Sequence, residues 1–138
     1  MKKTLAILTF LIVTLTLQAT TYYVAATGSN NSYAGTISSP WATWWYGMSR
    51  LVAGDILYIR QGTYTDMQTI GSGNNFGVHF SSHNGTSGNP ITVSAYPGDA
   101  SPVLDCTALN SSSSNIGIYL ENCNYWNFTR LTDRKSVV

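Results

Sequence analysis

The side chains that could do chemistry in this sequence are few and widely spaced. Asp105 and Glu121 each end a short apolar run. If they met on neighbouring coils they could help to bind calcium, which takes six to eight oxygen ligands. Exposed carboxylates at strand ends are ordinary, however, and no tight acidic cluster completes such a site. Asp55 follows Gly54 at a corner, where a carboxylate typically accepts hydrogen bonds from nearby backbone N–H groups, so we expect it to be a turn residue.

Two arginines and two histidines are the next candidates. Arg60 and Arg130 stand fifth in their respective runs and could line a groove that holds an acidic sugar, although solvated strand ends explain them more simply. His79 and His83 would share a face on a helix. They lie in and just after a predicted strand, where about 3.3 Å per residue separates them by roughly 13 Å. No cysteine or acid completes a zinc set, so we expect no metal site there.

Aromatic residues and cysteines complete the candidates. Trp45 and Tyr46 fall off the apolar stripe of a predicted helix, where they could stack on sugar rings or pack against the coil below; packing is the commoner role. Cys106 and Cys123 could form a disulfide in an exported protein, or each could be a small buried residue. The residues alone assign no catalytic, cofactor-binding or metal-binding position.

Composition excludes one class of partner. The 138 residues carry a formal charge of +1, and only 9% of them are charged. Without residues 1–19 the chain has five basic and six acidic residues, a net charge of −1. Nucleic acid demands a basic face, so we expect none as partner. The polar residues are mostly Asn, Ser, Thr and Gly, which suits neutral hydrogen bonding to sugars and equally suits many turns.

The N-terminus has the pattern of a secretory signal peptide. Lys2 and Lys3 precede an apolar run of 13 residues from Leu5 to Leu17. That run is shorter than the roughly 20 residues of a membrane-spanning helix. Ala19 ends a small-residue cleavage pattern. We therefore expect residues 1–19 to be removed, the protein to be secreted or held at the cell surface, and no membrane segment to remain.

One stretch organises the rest of the chain. From Ala53 to Tyr64 a Gly-Asp corner, a short apolar run and a Gln-Gly-Thr corner follow one another. The runs that begin at Ile56, Ile91 and Trp126 are spaced by 35 residues, and a strand and corner recurring at such a period indicate a solenoid. About seven short strands are expected in all. A β-sandwich would also have many short strands, but no two-residue Asn-Gly hairpin ties adjacent runs.

A single helix is predicted ahead of the first repeat. Ser38 or Ser39 could cap its N-terminus, Pro40 fits its first turn and Gly54 its end. Its apolar residues recur at steps of 3, 4 and 3 and therefore share one face: Trp41, Trp44, Met48 and Leu51. We expect residues 20–55 to form an N-terminal cap, residues 56–132 to form the first coils of a parallel β-helix, and residues 133–138 to be an irregular tail.

Four motifs follow one another along the chain: Tyr22-Tyr-Val-Ala-Ala-Thr-Gly28, Gly35-Thr-Ile-Ser-Ser-Pro-Trp-Ala-Thr43, the stretch from Ala53 to Tyr64, and Gly88-Asn-Pro-Ile-Thr-Val-Ser-Ala-Tyr-Pro-Gly98. They closely resemble the N-terminal region of secreted bacterial right-handed parallel β-helix proteins, which include the pectate-lyase-like and chondroitinase-B-like polysaccharide lyases. Their order and spacing match over about residues 22–132. The resemblance is specific for fold and much less so for activity, because one fold hosts many functions.

The resemblance implies a lyase of acidic polysaccharide. In such lyases a calcium ion neutralises the uronate carboxylate and a Lys or Arg base takes the C5 proton, which leads to β-elimination. This chain departs from that pattern, since it has no Lys between Lys3 and Lys135 and no paired-acid motif. We therefore carry over no catalytic residue, expect the active site and any calcium to lie in coils beyond this piece, and expect this chain alone to be inactive. The complete protein is expected to be a longer monomer.

Two other functions stay open from the sequence. One is a non-catalytic, glycan-binding or adhesin-type surface β-helix. The other is a glycoside hydrolase built on the same fold. Residues beyond Val138 would distinguish them: a Lys facing an acidic cluster favours a lyase, paired Asp residues favour a hydrolase, and neither favours an adhesin.

Overall fold

A computed structural model describes residues 18–70, 74–109 and 115–134. Within these ranges the chain forms one short helix and ten strands. The helix is α1 (Trp44–Ser49), and the strands are β1 (Thr21–Val24), β2 (Ile56–Ile59), β3 (Thr63–Tyr64), β4 (Gln68–Ile70), β5 (Asn74–Ser81), β6 (Ile91–Ala95), β7 (Val103–Asp105), β8 (Asn115–Glu121), β9 (Trp126–Thr129) and β10 (Thr132–Arg134). The predicted signal peptide up to residue 17 and the tail from residue 135 lie outside the described residues.

The strands stack as coils that share three sheets. The first sheet has the order β1-β2-β6-β9, and the second has the order β10-β7-β3; every pair in both is parallel. The third has the order β4-β5-β8, in which β5 and β8 are parallel and β4 is antiparallel to β5. Each full coil thus gives one strand to each sheet in turn, which confirms the predicted parallel solenoid.

The register of the first sheet gives the length of each coil. Thr21 pairs with Ile56, Ile56 with Thr92, and Ile91 with Trp126, which are offsets of 35, 36 and 35 residues. The predicted repeat is therefore confirmed to within one residue. The strand β1, predicted as part of a cap, is itself paired in register as the rung that precedes β2.

Alternation along each strand sends one set of side chains into a single core. On β2, Leu57 and Ile59 are fully buried, whereas Tyr58 between them faces outward and is half-buried. The core of the described residues extends through all three sheets and the helix. It is formed by Val24, Trp41, Trp44, Met48, Leu51, Leu57, Ile59, Tyr64, Val78, Phe80, Ile91, Val93, Leu104, Cys106 and Leu109.

The helix begins later than the sequence predicts. Thr43 caps it, with its hydroxyl accepting from the backbone N–H of Tyr46. Trp41 is not helical: its backbone pairs with Tyr23 and Ala25, which extends the first sheet. The predicted apolar stripe is buried as expected, but its first residue, Trp41, belongs to the first sheet and not to the helix. Gly47 lets the helix pack closely on β1, since a Cβ there would lie 2.7 Å from a methyl of Val24.

The strands differ from the sequence expectation in three details. The run that begins at Trp126 is not one continuous strand, because Arg130 has a φ of 56° and turns the chain between β9 and β10. Ten strands are present in the described residues where about seven are expected, and β4, which precedes β5, is one of the additional strands. The strand β10 also extends two residues past the predicted end of the coils at Thr132.

The two cysteines are free thiols in the described structure. Cys106 is buried and Cys123 is half-buried, so the second of the two alternatives holds for Cys106. Burial raises the pKa of the Cys106 thiol to about 12, and the neighbouring Asp133 adds to this. The described part of the chain contains no helix with the length and hydropathy needed to span a bilayer.

Candidate functional site

Asp55 plays the turn role predicted for it. It is 2% exposed, and its two carboxylate oxygens accept from the backbone N–H groups of Thr20 and Val52, each at 2.9 Å. Both oxygens are therefore used to fix the corner between α1 and β2. This residue ties β1 to β2 and is not available as a ligand.

The two arginines singled out in the sequence meet at one corner. Arg60 forms an ion pair with the carboxylate of Asp99, which also accepts from the backbone N–H of Gln61 at 3.1 Å. Arg130 donates from its Nη2 to the backbone carbonyl of Asp99 at 2.7 Å. The Arg60 guanidinium holds the pKa of the Asp99 carboxyl below its ordinary value. The turn that follows β6 thus brings together side chains from three successive coils.

Three tyrosines lie beside these arginines on the outer face of the first sheet. Tyr23 and Tyr58 are register partners, and their ring centroids are 6.0 Å apart. The ring of Tyr96 lies 6.1 Å from the first and 5.8 Å from the second. The Arg60 guanidinium lies 4.6 Å above the centre of the Tyr96 ring, in the range of a cation–π contact. Among the described residues, no protein group pairs with the hydroxyls of these three tyrosines.

We call this patch the tyrosine–arginine surface; its residues are Tyr23, Tyr58, Tyr96, Arg60, Asp99 and Arg130. Its three charged side chains sum to one positive charge, because Asp99 balances only one of the two arginines. A cavity of about 220 Å³ borders it and is lined by Ala25, Ala26, Thr27, Arg60 and Gln61. Half-exposed rings, free hydroxyls and an excess cation are groups that can hold a sugar bearing a carboxylate.

Among the remaining candidates, neither the two acids nor the two histidines meet, although Glu121 and His79 do. Asp105 pairs with Arg134 at 2.7 Å, whereas Glu121 lies 3.9 Å from the Nε2 of His79. The Nε2 of His83 lies 2.8 Å from the backbone carbonyl of Leu51, and its ring packs in the aromatic cluster of the core. In the parts of the chain that the structure describes, no three His, Cys, Asp or Glu side chains are placed to hold a metal ion.

The two off-stripe aromatics of α1 have different roles. Tyr46 packs edge-on against Trp41 at 5.6 Å and carries the Arg50 guanidinium 4.6 Å above its ring, so its role is packing. Trp45 is 39% exposed and lines a cavity of about 390 Å³. We call this cavity the Trp45 pocket; it is lined by Asn30, Thr43, Trp45, Asp66, Met67, Gln68 and Thr69.

Asp66 is the charged residue of the Trp45 pocket. It is 8% exposed, and its Oδ2 accepts from the backbone N–H of Trp45 at 2.8 Å. Burial raises the pKa of this carboxyl to about 6, and the backbone N–H groups of Trp45 and Trp44 oppose that rise. Asp66 is not among the residues that the sequence indicates, because an acid within Tyr-Thr-Asp-Met carries no local signal of a pocket.

Sequence reasoning also missed the tyrosines. Tyr23 and Tyr58 are one coil apart at outward positions, so the 35-residue period could have predicted that they stack. Tyr96 follows a strand and Asp99 sits in a turn, where that period does not fix a side chain.

Comparison with known proteins identifies the scaffold. Residues 22–136 match the family model of the Pel9A-like right-handed β-helix region. Among solved structures, a rhamnogalacturonan lyase superposes with a TM-score of 0.70 and 28% identity, covering 83% of this chain and 28% of that one. The GH136 lacto-N-biosidase from Eubacterium ramulus superposes with a TM-score of 0.61 and 20% identity, covering 86% of this chain and 21% of that one.

These matches support different conclusions about the chain. At 20% identity the biosidase supports the fold alone. The chain spans less than a third of the length of either structure. No curated protein sequence matches the chain. The right-handed β-helix that the four motifs imply is therefore confirmed.

Proposed function

Because the chain belongs to the Pel9A-like right-handed β-helix family, we propose that it is the N-terminal part of a secreted protein that acts on polysaccharide. The favoured activity of the complete protein is that of a lyase that cleaves acidic polysaccharide by β-elimination. The observation that carries this choice is the tyrosine–arginine surface, on the outer face of the sheet that runs through every coil. It offers rings, hydroxyls and an excess positive charge to an acidic chain.

In this proposal the residues of this chain bind the polysaccharide, and the β-elimination takes place on coils outside it. β-Elimination needs a cation against the uronate carboxylate and a base at C5. The described residues bring no metal-ligating group together. We therefore place the base, and calcium if the complete protein uses it, on coils beyond residue 138. The share of the rhamnogalacturonan lyase that this chain covers, 28%, is consistent with such a division.

Binding by this chain can be tested directly. Isothermal titration with polygalacturonate at low salt should give binding that weakens as salt is added, because a cationic surface is screened. Tyr58→Ala and Arg130→Ala should each weaken it by about three- to tenfold. Matched controls are Tyr33→Ala and Arg50→Ala, which remove exposed residues of the same types elsewhere. Controls that weaken binding as much as the test variants, or a chain that does not bind, would refute this surface.

The activity itself needs the complete reading frame. The complete protein should release unsaturated uronate products, followed by their ultraviolet absorbance, and chelation of calcium should stop it. The present chain should release none. Binding with no unsaturated product in any form would favour the non-catalytic, adhesin-type alternative. Hydrolysis to saturated products would favour a glycoside hydrolase.

A further inference from the structure

The Trp45 pocket is built from three separate segments. Asn30 comes from the loop after β1, Thr43 and Trp45 from the start of α1, and residues 66–69 from the segment that enters β4. Its volume of about 390 Å³ falls in the range of small-molecule sites, about 300–1,000 Å³. A second cavity of about 300 Å³ shares Thr43, Asp66 and Met67 with it and extends the opening.

One wall of the pocket is apolar and accessible. Trp45 is 39% exposed and Met67 is 59% exposed, although each presents a large apolar side chain. The other apolar residues of α1 are different, since Trp44 and Met48 are fully buried. An indole face held at a pocket mouth is a surface on which the C–H face of a sugar ring can rest.

The rest of the pocket wall is polar and held in place. The Asn30 side chain accepts from the backbone N–H of Ala42 at 2.8 Å and donates to the Thr43 hydroxyl at 3.0 Å. The Thr69 hydroxyl donates to Asn75 at 2.8 Å. These bonds fix the side chains before any ligand arrives, which reduces the entropy lost on binding.

Two groups in this wall retain hydrogen-bonding capacity. Asp66 accepts one backbone N–H with Oδ2, and a carboxylate can accept several more bonds. The Nε2 of Gln68 is buried without a hydrogen-bond partner in the described structure. An unpaired buried donor is costly. If the Gln68 side chain rotated to donate to an acceptor on a ligand, this amide would gain a hydrogen bond.

We infer that the Trp45 pocket is a second glycan subsite that takes one neutral sugar residue, with its ring on Trp45 and its hydroxyls on Asp66 and Gln68. Charge sets the class of sugar. Asp66 is the ionisable residue that lines the pocket, and a uronate carboxylate placed beside it would be repelled. The inference rests on the proposed glycan-binding function, but it uses residues separate from the tyrosine–arginine surface.

The experiment uses three monosaccharide probes with the whole chain. The methyl glycosides of galactose, glucose and rhamnose are titrated while the indole N–H resonances are followed by NMR, with methyl galacturonate as the acidic counterpart. We expect at least one neutral glycoside to shift the Trp45 resonance with a Kd on the order of 1–10 mM. Methyl galacturonate should bind this pocket at least about fivefold more weakly.

Variants locate the site and separate it from the other surface. Trp45→Ala and Trp45→Phe both lack the Trp45 indole, so their binding is followed by saturation transfer from the protein to the glycoside's own protons. Trp45→Ala should abolish this transfer, and Trp45→Phe should keep part of it. Both should fold, because Trp45 lies off the buried stripe; circular dichroism checks this. Asp66→Asn should reduce the preference for neutral over acidic glycoside by about threefold or more. Polygalacturonate binding should be unchanged in Trp45→Ala.

Three outcomes would overturn the inference. In the first, the chain binds polygalacturonate but no neutral glycoside, which removes the pocket and leaves the proposed function standing. In the second, Trp45→Ala binds neutral glycoside as well as the parent chain does. In the third, the chain binds neither polygalacturonate nor neutral glycoside, and the proposed function fails together with the pocket.

Discussion

The tyrosine–arginine surface draws on three successive coils, whereas the Trp45 pocket uses only residues 30–69, and the two are made in different ways. The surface uses positions that the repeat aligns, such as Tyr23 and Tyr58, and it carries an excess positive charge. The pocket uses residues from the N-terminal loop, α1 and the segment before β4, and it contains a carboxylate with a raised pKa. The repeat therefore produces an extended face suited to a chain, whereas the non-repeating segments produce an open pocket whose volume suits a single sugar residue.

The largest effect should come from the core that supports both sites. Leu57 is fully buried, precedes Tyr58 of the surface and packs near Gly47 of α1. Leu57→Ala should lower the free energy of unfolding by about 2–5 kcal/mol, measured by urea denaturation. Thr92→Ala, at an outward position on β6, is the control and should cost under about 1 kcal/mol. A similar loss in both variants would contradict the assignment of inward and outward faces.

A smaller effect should distinguish the two sites by pH. Asp66 has a pKa raised from 3.8 to about 6 in the fold, so its ionisation opposes folding. The protonated carboxyl therefore stabilises the fold. This stabilisation is complete below about pH 4 and is lost as pH rises through about 6, a change of about 2–3 kcal/mol. The difference in unfolding free energy between the parent chain and Asp66→Asn, measured from pH 4 to pH 7, should follow this change. A difference that stays constant with pH would show that Asp66 does not carry an uncompensated charge.

The smallest effect should sharpen the electrostatic contrast. Asp99 neutralises Arg60, so Asp99→Asn should leave both arginines free to attract an anion while keeping an acceptor for the Gln61 N–H. Polygalacturonate binding should strengthen by about two- to fivefold at low salt, and the gain should vanish at high salt. Binding of neutral glycoside in the Trp45 pocket should not change. Equal strengthening at both sites would mean that the two are not electrostatically separate.

The coils could be predicted from the sequence because the same pattern of buried apolar residues recurs in each of them. The runs at Ile56, Ile91 and Trp126 each follow a corner and alternate about the same core. The spacing between them in the sequence is therefore also the spacing between paired residues in the sheet. The start of α1 could not be predicted in the same way. Ser39 and Pro40 offered a good local N-terminus, but the backbone of Trp41 gains hydrogen bonds in the first sheet, and tertiary pairing outweighs local preference.

The candidate sites were less visible for a related reason. Arg60 and Arg130 were singled out by their matching positions, and they do converge. Asp99 between them belongs to a turn whose path depends on Gly98, which has a φ of 90°. The residues of the Trp45 pocket are up to 39 positions apart and share no period. Local patterns fix faces of strands, but they do not fix where three loops meet.

The parallel register gives the molecule a linear scale. Adjacent strands lie about 4.8 Å apart, so each offset of 35 or 36 residues raises the chain by one such step along the axis. The rise from β1 to β9 is thus about 14 Å. Deleting one whole period, for example from Ile56 to the residue before Thr92, would shorten the axis by one step while the remaining strands could keep their partners' register. The number of residues between two contact points then becomes a measure of how much of a linear ligand can lie between them.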